Sequence, residues 1–197
     1  TMSSILNVLG ISGSLRKASK NSALLRTAQG LVPEEMTLDI FDISDIPLYN
    51  QDVEDDGFPP SVERLAEALE KADALLIACP EYNWSITPPL KNAIDWASRK
   101  KPSPLDDMPV AIMGVGGGAG AGRAQQHLRQ VFVFTNSHVM NKPEVAVRLR
   151  ETNFDDDGRP TDQHVLDNVS SLLVNLDAWT RRLQVFVKEY EDYPQGY

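Results

Sequence analysis

A loop of hydroxyl, amide and cationic side chains follows the first apolar run of the chain. Residues 5–11 are mostly apolar, residues 13–22 read Gly-Ser-Leu-Arg-Lys-Ala-Ser-Lys-Asn-Ser, and residues 23–28 favour a helix. Free N–H groups at a helix N-terminus attract anions, and hydroxyls and a guanidinium donate further hydrogen bonds to phosphate oxygens. The loop therefore predicts a phosphate cradle. The alternative is an ordinary strand-to-helix loop in which Ser19 or Ser22 caps the helix.

The spacing within this loop excludes the common phosphate motifs. It lacks the Gly-Lys-Ser/Thr of a nucleoside triphosphatase, and Gly10 and Gly13 do not form the Gly-x-Gly-x-x-Gly of a dinucleotide site. A monophosphate is therefore the more natural ligand, which points to flavin mononucleotide (FMN) or to a phosphosugar.

A second loop, residues 80–89, combines aromatic, amide and carboxyl side chains with three prolines. Tyr82 and Trp84 could flank a planar ring, and Glu81 and Asn83 could form hydrogen bonds with its edge. The alternative is a proline-rich start of a helix, with the two aromatic side chains packed as satellites of the core.

A third loop, residues 114–122, contains six glycines, which let backbone approach a ligand without interference from Cβ atoms. Its Gly114-x-Gly116-x-x-Ala119 also fits the weaker form of the dinucleotide fingerprint. We disfavour that interpretation because the motif follows the fourth predicted strand, and no ribose-binding acid stands in the expected context.

Composition narrows the function classes. The net charge of −9 argues against binding to nucleic acid or to anionic membranes. No apolar stretch is long enough to span a bilayer, no signal-peptide pattern opens the chain, and the single cysteine suits a reducing compartment, so we expect a cytoplasmic protein. That cysteine, Cys79, lies in an apolar run and is expected to be inert. The three histidines show no metal-ligand spacing, so no metal is expected.

The elements that must position these loops alternate along the chain. Apolar runs predict strands at residues 5–11, 37–41, 74–79, 110–113 and within 137–147, each followed by a segment of helical character. The last helix is predicted from about residue 161 into the 180s. Such a pattern predicts one α/β domain over residues 1–197, with disordered ends at 1–3 and 190–197. Ligands of these sheets lie beyond the carboxyl ends of the strands, so the three loops should share one site.

Three stretches identify a resemblance to a known family. Residues 13–21, 80–83 and 90–96 are similar to the NADPH-dependent FMN reductases, and residues 127–130 and 140–144 resemble its bacterial quinone and chromate reductases. The resemblance spans residues 4–187. It implies a flavodoxin-like three-layer sandwich with a five-stranded parallel sheet of order 2-1-3-4-5, bound FMN, and NADPH or NADH as co-substrate.

Carried over residue by residue, the resemblance implies two groups of FMN ligands. The phosphate would be held by residues of the first loop: Ser14, Leu15, Arg16, Ser19, Asn21 and Ser22. The ribityl chain and the ring would be lined by residues of the other two loops: Glu81, Tyr82, Asn83, Trp84, Gly116 and Gly117.

The reaction implied is a ping-pong cycle in which NAD(P)H reduces FMN and a quinone then accepts two electrons. Chromate, azo dyes and free flavin are further acceptors of this kind. Because the flavin carries the chemistry, we expect no catalytic side chain, and Glu81 is expected to make structural hydrogen bonds instead. The alternatives are a flavodoxin-like one-electron carrier and an interaction module without FMN.

The same resemblance implies dimers or tetramers. Residues 46–50, Ile-Pro-Leu-Tyr-Asn, are an apolar and aromatic segment that a monomer has little reason to expose, so we place them at a two-fold interface. Arg123 and Glu144 resemble positions that join dimers into tetramers, although Gln126 replaces the aromatic partner that relatives carry there.

Overall fold

The computed structural model describes residues 5–189, and the predicted disordered ends at 1–3 and 190–197 lie outside the described residues. Its parallel sheet has the order β2-β1-β3-β4-β5, with β6 also paired to β4, which confirms the α/β fold and the predicted order. The strands are β1 (Leu6–Ser12), β2 (Met36–Phe41), β3 (Ala74–Ala78), β4 (Pro109–Gly116), β5 (His138–Val139) and β6 (Val145–Arg148).

Six helices connect and follow these strands within the described residues. The predicted helical segments after the strands are confirmed, the long last helix starts two residues later than predicted, and the short α2 was not predicted. The helices are α1 (Lys20–Gln29), α2 (Gln51–Asp55), α3 (Pro60–Glu70), α4 (Pro88–Arg99), α5 (Gly122–Phe134) and α6 (Gln163–Glu189). No helix among residues 5–189 is long and apolar enough to cross a membrane.

Helices cover both faces of the sheet and bury two separate cores. On one face Leu24 of α1 and Leu173 of α6 pack against Val8 of β1. On the other face Leu65 of α3, Leu90 of α4 and Phe132 of α5 pack against Ile77 of β3 and its neighbours. Because successive side chains of a strand point to opposite faces, the central strands must be apolar throughout, as β3 is.

The predicted fifth strand is divided into two in the structure, which corrects the count of five strands to six. β5 pairs with the first residues of β4, and β6 pairs with its last four. Between Val139 and Val145 the chain advances six residues while the partner residues on β4, Val110 and Met113, are three apart. The connecting segment contains Pro143, which has no N–H to donate to the ladder.

β4 extends further than predicted and takes in the start of the glycine-rich segment. Gly114, Val115 and Gly116 belong to the strand, so the loop after β4 begins at Gly117. Gly114 lies so close to β3 that a Cβ atom there would be 2.4 Å from the carbonyl oxygen of Cys79. This glycine therefore serves packing within the sheet and not ligand binding.

Candidate functional site

The loops after β1 and β3 meet at the carboxyl edge of the sheet and are fixed to each other. Gly13 donates its N–H to the Ala78 carbonyl at 2.9 Å, and the Thr87 hydroxyl donates to the Gly13 carbonyl at 2.6 Å. A Cβ atom on Gly13 would be 2.8 Å from Pro80 Cδ, so only glycine fits this contact. Thr87, which the sequence analysis did not assign to the site, therefore positions both loops; its place just before two prolines was the available signal.

The first loop is held by a chain of hydroxyl hydrogen bonds. Ser19 caps α1 by accepting from the Ser22 N–H at 3.2 Å, which confirms one of the two caps considered from the sequence. The Ser12 and Ser22 hydroxyls lie 2.9 Å apart, and the Ser14 N–H donates to the Ser12 hydroxyl at 3.3 Å. Ser12 is thus a further positioning residue that sequence reasoning did not single out.

The donors that remain face outward from this framework. The N–H groups of Lys20 and Asn21 lie in the first turn of α1, where helix geometry leaves them without a carbonyl partner in a preceding turn. The side chain of Arg16 is exposed beside them. Positive helix-end charge, free N–H groups, hydroxyls and a guanidinium together suit a monophosphate. Capping and phosphate binding therefore do not exclude each other here.

The side chain of Asn21 connects this end of the site to β4. Its side chain is 7% exposed, and its amide forms two hydrogen bonds with the backbone of Val115: Nδ2 donates to the carbonyl at 2.9 Å, and Oδ1 accepts from the N–H at 2.8 Å. The side chain is used to hold α1 against β4. The backbone N–H of Asn21 lies in the first turn of α1, where it can donate to a phosphate.

Residues 82–85 form a tight hairpin with reciprocal hydrogen bonds between Tyr82 and Ser85. The two central residues have positive φ, 50° at Asn83 and 66° at Trp84. Asn tolerates this left-handed conformation, but an aromatic residue rarely adopts it. Tyr82 is 49% and Trp84 66% exposed, so neither is a satellite of the core. The proline-rich start of a helix is confirmed, since α4 begins at Pro88, but the predicted packing of the two aromatic side chains on the core is wrong.

Glu81 links this hairpin to the loop after β4. α5 begins after Ala121, which has a positive φ and cannot cap the helix with its side chain. The Glu81 carboxylate supplies the cap by accepting from the N–H groups of Arg123 at 3.0 Å and Ala124 at 3.2 Å. The Arg123 guanidinium lies 4.4 Å from the centre of the Trp84 ring. Glu81 thus makes structural hydrogen bonds, as expected, and their partner is the backbone of α5.

The glycines of the third loop fall into two groups. A Cβ atom on Gly116 would be 2.5 Å from the Ala121 nitrogen, and one on Gly120 would be 2.4 Å from the Ala146 carbonyl oxygen. Gly117 and Gly118 differ, since a Cβ atom on either meets nothing within 4 Å. Packing within the chain therefore explains Gly116 and Gly120, whereas the space beside Gly117 and Gly118 remains open for a ligand.

Few side chains near the site could act as a nucleophile or a metal ligand. Burial raises the pKa of the Cys79 thiol to about 12, so it stays neutral and unreactive. Among residues 5–189 no group of three or more His, Cys, Asp or Glu side chains is arranged to hold a metal ion. The Ser85 hydroxyl lies 3.0 Å from His127 Nδ1, a pairing that sequence reasoning missed because 42 residues separate the two.

These features lie at the carboxyl ends of the strands, where ligands of such sheets bind. The donor set of the first loop suits a phosphate. The exposed aromatic hairpin and the open backbone at Gly117 and Gly118 suit a planar ring. The residues present therefore fit FMN, and the class of protein they define is a flavodoxin-like flavoenzyme.

Comparison with known proteins agrees with this class. Residues 6–152 match the family described as NADPH-dependent FMN reductase. The chain is 51% identical over 184 residues to the NAD(P)H-dependent FMN reductase PA1204 of Pseudomonas aeruginosa, covering 93% of this chain and all of that one. It is 42% identical over 191 residues to the quinone reductase of Escherichia coli, again covering 93% of this chain and all of the relative.

A solved structure extends the comparison to the fold. FerB, a flavoenzyme NAD(P)H:(acceptor) oxidoreductase from Paracoccus denitrificans, superposes with a TM-score of 0.82 at 32% identity, covering 90% of this chain and 98% of that one. The chain belongs to the NADPH-dependent FMN reductase family. It is therefore an oxidoreductase that depends on FMN and NAD(P)H.

Proposed function

We propose that the protein takes hydride from NAD(P)H and reduces quinones by two electrons in a ping-pong cycle. The observation that carries this proposal is the pairing of a fixed phosphate cradle with an exposed aromatic hairpin at one edge of the sheet. The quinone reductase of Escherichia coli and the NADPH:quinone oxidoreductase of Arabidopsis thaliana, 43% identical over 186 residues, support the choice of acceptor.

We assign FMN to the site as follows. The hydroxyls of Ser14, Ser19 and Ser22, the Arg16 guanidinium, and backbone N–H groups at Leu15 and Asn21 hold the phosphate. The hairpin residues 81–84 line the ribityl chain and one side of the ring, and Gly116 and Gly117 approach the ring through backbone. Bound FMN supplies two-electron hydride chemistry, so the chain itself needs no nucleophile.

The chain's own residues would then orient the reactants. Glu81 holds the hairpin and the N-terminus of α5 at a fixed separation, because its carboxylate is bonded to the backbone of α5. Thr87 and Gly13 do the same for the hairpin and the phosphate loop. With these loops held in place, two different planar molecules, a nicotinamide and a quinone, would bind in turn beside the hairpin.

Half-reactions under anaerobic conditions test this function. We expect NADPH or NADH to bleach the flavin absorbance, and a quinone added afterwards to restore it without formation of a ternary complex, seen as parallel double-reciprocal plots. Electron delivery only in single steps, without oxidation of NAD(P)H, would favour the one-electron carrier. A colourless protein after saturation with FMN would favour the interaction module. Chromate, azo dyes and free flavin belong in the same acceptor panel.

We also propose that residues 46–50 form a two-fold interface that closes each site. The segment is held rigidly on α4, since Asn92 accepts from the Tyr49 N–H at 2.8 Å and donates to the Pro47 carbonyl at 2.8 Å. The Trp96 indole N–H donates to the same carbonyl at 2.8 Å. Leu48 is left 80% exposed on this fixed support, which favours a protein partner over solvent.

Assembly into tetramers is a separate proposal that rests on Arg123 and Glu144. Within the chain Arg123 already contacts Glu81 and Trp84, and Glu144 contacts Lys142 at 2.9 Å. Light scattering distinguishes the states: a monomer at micromolar concentration contradicts the interface, and a dimer at every concentration contradicts only the tetramer.

We place the enzyme in the cytoplasm, where its single thiol stays reduced.

A further inference from the structure

A groove of about 470 Å³ runs beside the hairpin, between the first turns of α4 and the middle of α5. Part of its lining is apolar and is here called the floor: Ile86, Pro88 and Val131. The polar part of the lining is here called the rim and carries groups that can bind phosphate: the Ser85 hydroxyl, the Lys91 ammonium, the His127 imidazole and the Gln130 amide. No residue of this groove belongs to the assigned FMN ligands.

We propose that this groove binds the adenosine 2′-phosphate half of NADPH and thereby sets the preference for NADPH over NADH. The proposal rests on the function proposed above, because it needs the nicotinamide half to lie against the hairpin. An adenine ring suits the apolar floor, and a 2′-phosphate suits the rim. The groove shares Ser85 with the hairpin, so one long dinucleotide can reach both.

The rim is organised to donate hydrogen bonds. His127 Nδ1 lies 3.0 Å from the Ser85 hydroxyl, which leaves Nε2 without this partner and available to a ligand. Lys91 forms an ion pair with Asp95 one turn further along α4, and both side chains remain about two-fifths exposed. Such a pair is weak, so a phosphate dianion can recruit the ammonium. Arg123 lies over the Trp84 ring at the hairpin, where its charge is balanced by Glu81 at 3.5 Å.

Charge also favours this groove over the other end of the site. Arg16 and Lys17 offer cations there, but the FMN phosphate is assigned to that loop, and a second phosphate beside it would meet a like charge. At the groove Lys91 and Asp95 balance each other's charge, so a bound phosphate would not lie beside a second phosphate. Lys91 is the cation of the groove lining, and a phosphorylated ligand would compete with Asp95 for its ammonium.

Isothermal titration of the FMN-loaded protein with adenosine 2′,5′-bisphosphate and with 5′-AMP tests the proposal without turnover. We expect the bisphosphate to bind at least about tenfold more tightly than 5′-AMP, as a charge-assisted phosphate contact predicts. Lys91→Met with His127→Ala should abolish this preference. The same double variant should lower kcat/KM for NADPH about tenfold more than kcat/KM for NADH.

Lys71→Met is the matched control, because Lys71, at the C-terminal end of α3, also pairs with an exposed carboxylate one turn away, at Glu67. It should leave the preference for the bisphosphate unchanged. Equal affinity of the wild type for both nucleotides, or loss of the preference in Lys17→Ala instead, would overturn the proposal. Failure of NADPH and NADH alike to reduce the flavin would overturn the proposed function, which the titration does not test.

Discussion

The loop after β1 and the hairpin after β3 border the same site but hold their functional groups differently. In the first loop Ser19 is 5% and Asn21 7% exposed, and both side chains form hydrogen bonds with backbone groups of the protein. In the hairpin Tyr82 is 49% and Trp84 66% exposed. A buried framework suits permanent retention of a phosphate, whereas an exposed aromatic surface can receive one planar substrate after another. Cofactor retention and substrate exchange are thus assigned to different loops.

Of all the substitutions proposed, Asn21→Ala should lower the stability of the protein most, through the first loop. The substitution removes two hydrogen bonds and leaves the buried backbone of Val115 unsatisfied, so we expect the free energy of unfolding to fall by about 2–4 kcal/mol. Urea unfolding of the FMN-free protein measures this. The control is Asn175→Ala on α6, where an exposed amide bonds to the Ser171 carbonyl. Equal losses in the two variants would contradict the framework role.

Arg16→Ala should act on the same loop without unfolding it, since the guanidinium is exposed. Loss of one charge-assisted contact, worth about 1.5–3 kcal/mol, would raise the dissociation constant of FMN by a factor between about 10 and somewhat over 100. Fluorescence titration of the FMN-free protein provides the value. Arg26→Ala, at the other end of α1, should change it little. An unchanged affinity in the Arg16 variant would remove Arg16 from the cradle.

Gly116 and Gly117 allow a test at the ring end of the site, because a Cβ atom would clash at the first and meet open space at the second. Gly116→Ala should lower the free energy of unfolding by about 1–3 kcal/mol, because the new methyl overlaps the Ala121 backbone. Gly117→Ala should leave stability unchanged and weaken FMN binding instead. Thermal unfolding and FMN titration of both variants separate these outcomes. A stable Gly116 variant together with full FMN affinity in the Gly117 variant would refute the assignment of Gly116 to packing and of Gly117 to ligand binding.

Glu81→Ala should have the smallest effect on stability, because it removes a helix cap worth about 0.5–2 kcal/mol. Glu81→Gln should recover part of the loss, since an amide oxygen still accepts from α5. The matched control is Asp73→Ala, in which the carboxylate accepts from the Asn7 N–H at 2.8 Å at the opposite edge of the sheet. Glu81→Ala and Asp73→Ala should both lower the free energy of unfolding, but only Glu81→Ala should weaken FMN binding.

The sequence was sufficient for the central strands and the three loops because their signals are local. The uniformly apolar 74–79 and the serine- and glycine-rich loops define their own structure. The division of the last strand could not be predicted, since β5 and β6 are both selected by pairing with β4, a non-local contact. The short α2 has no buried residue, so no apolar periodicity marks it.

The site was predictable as a group of loops but not as a set of contacts. Asn21 and Val115 are 94 residues apart, and Glu81 and Arg123 are 42 apart, so their hydrogen bonds depend on the folded sheet. An asparagine in a phosphate loop looks like a ligand whether or not its amide is already used. Glycine composition likewise cannot distinguish close packing, as at Gly116, from open space, as at Gly117.

Release of the bound cofactor by heat, followed by chromatography and titration back into the protein, tests the central claim most directly. We expect a yellow protein that releases FMN and rebinds one FMN per chain. We expect riboflavin, which lacks the phosphate, to bind much more weakly than FMN. Release of FAD, failure to rebind FMN, or equal affinity for riboflavin and FMN would contradict a phosphate cradle at residues 13–22.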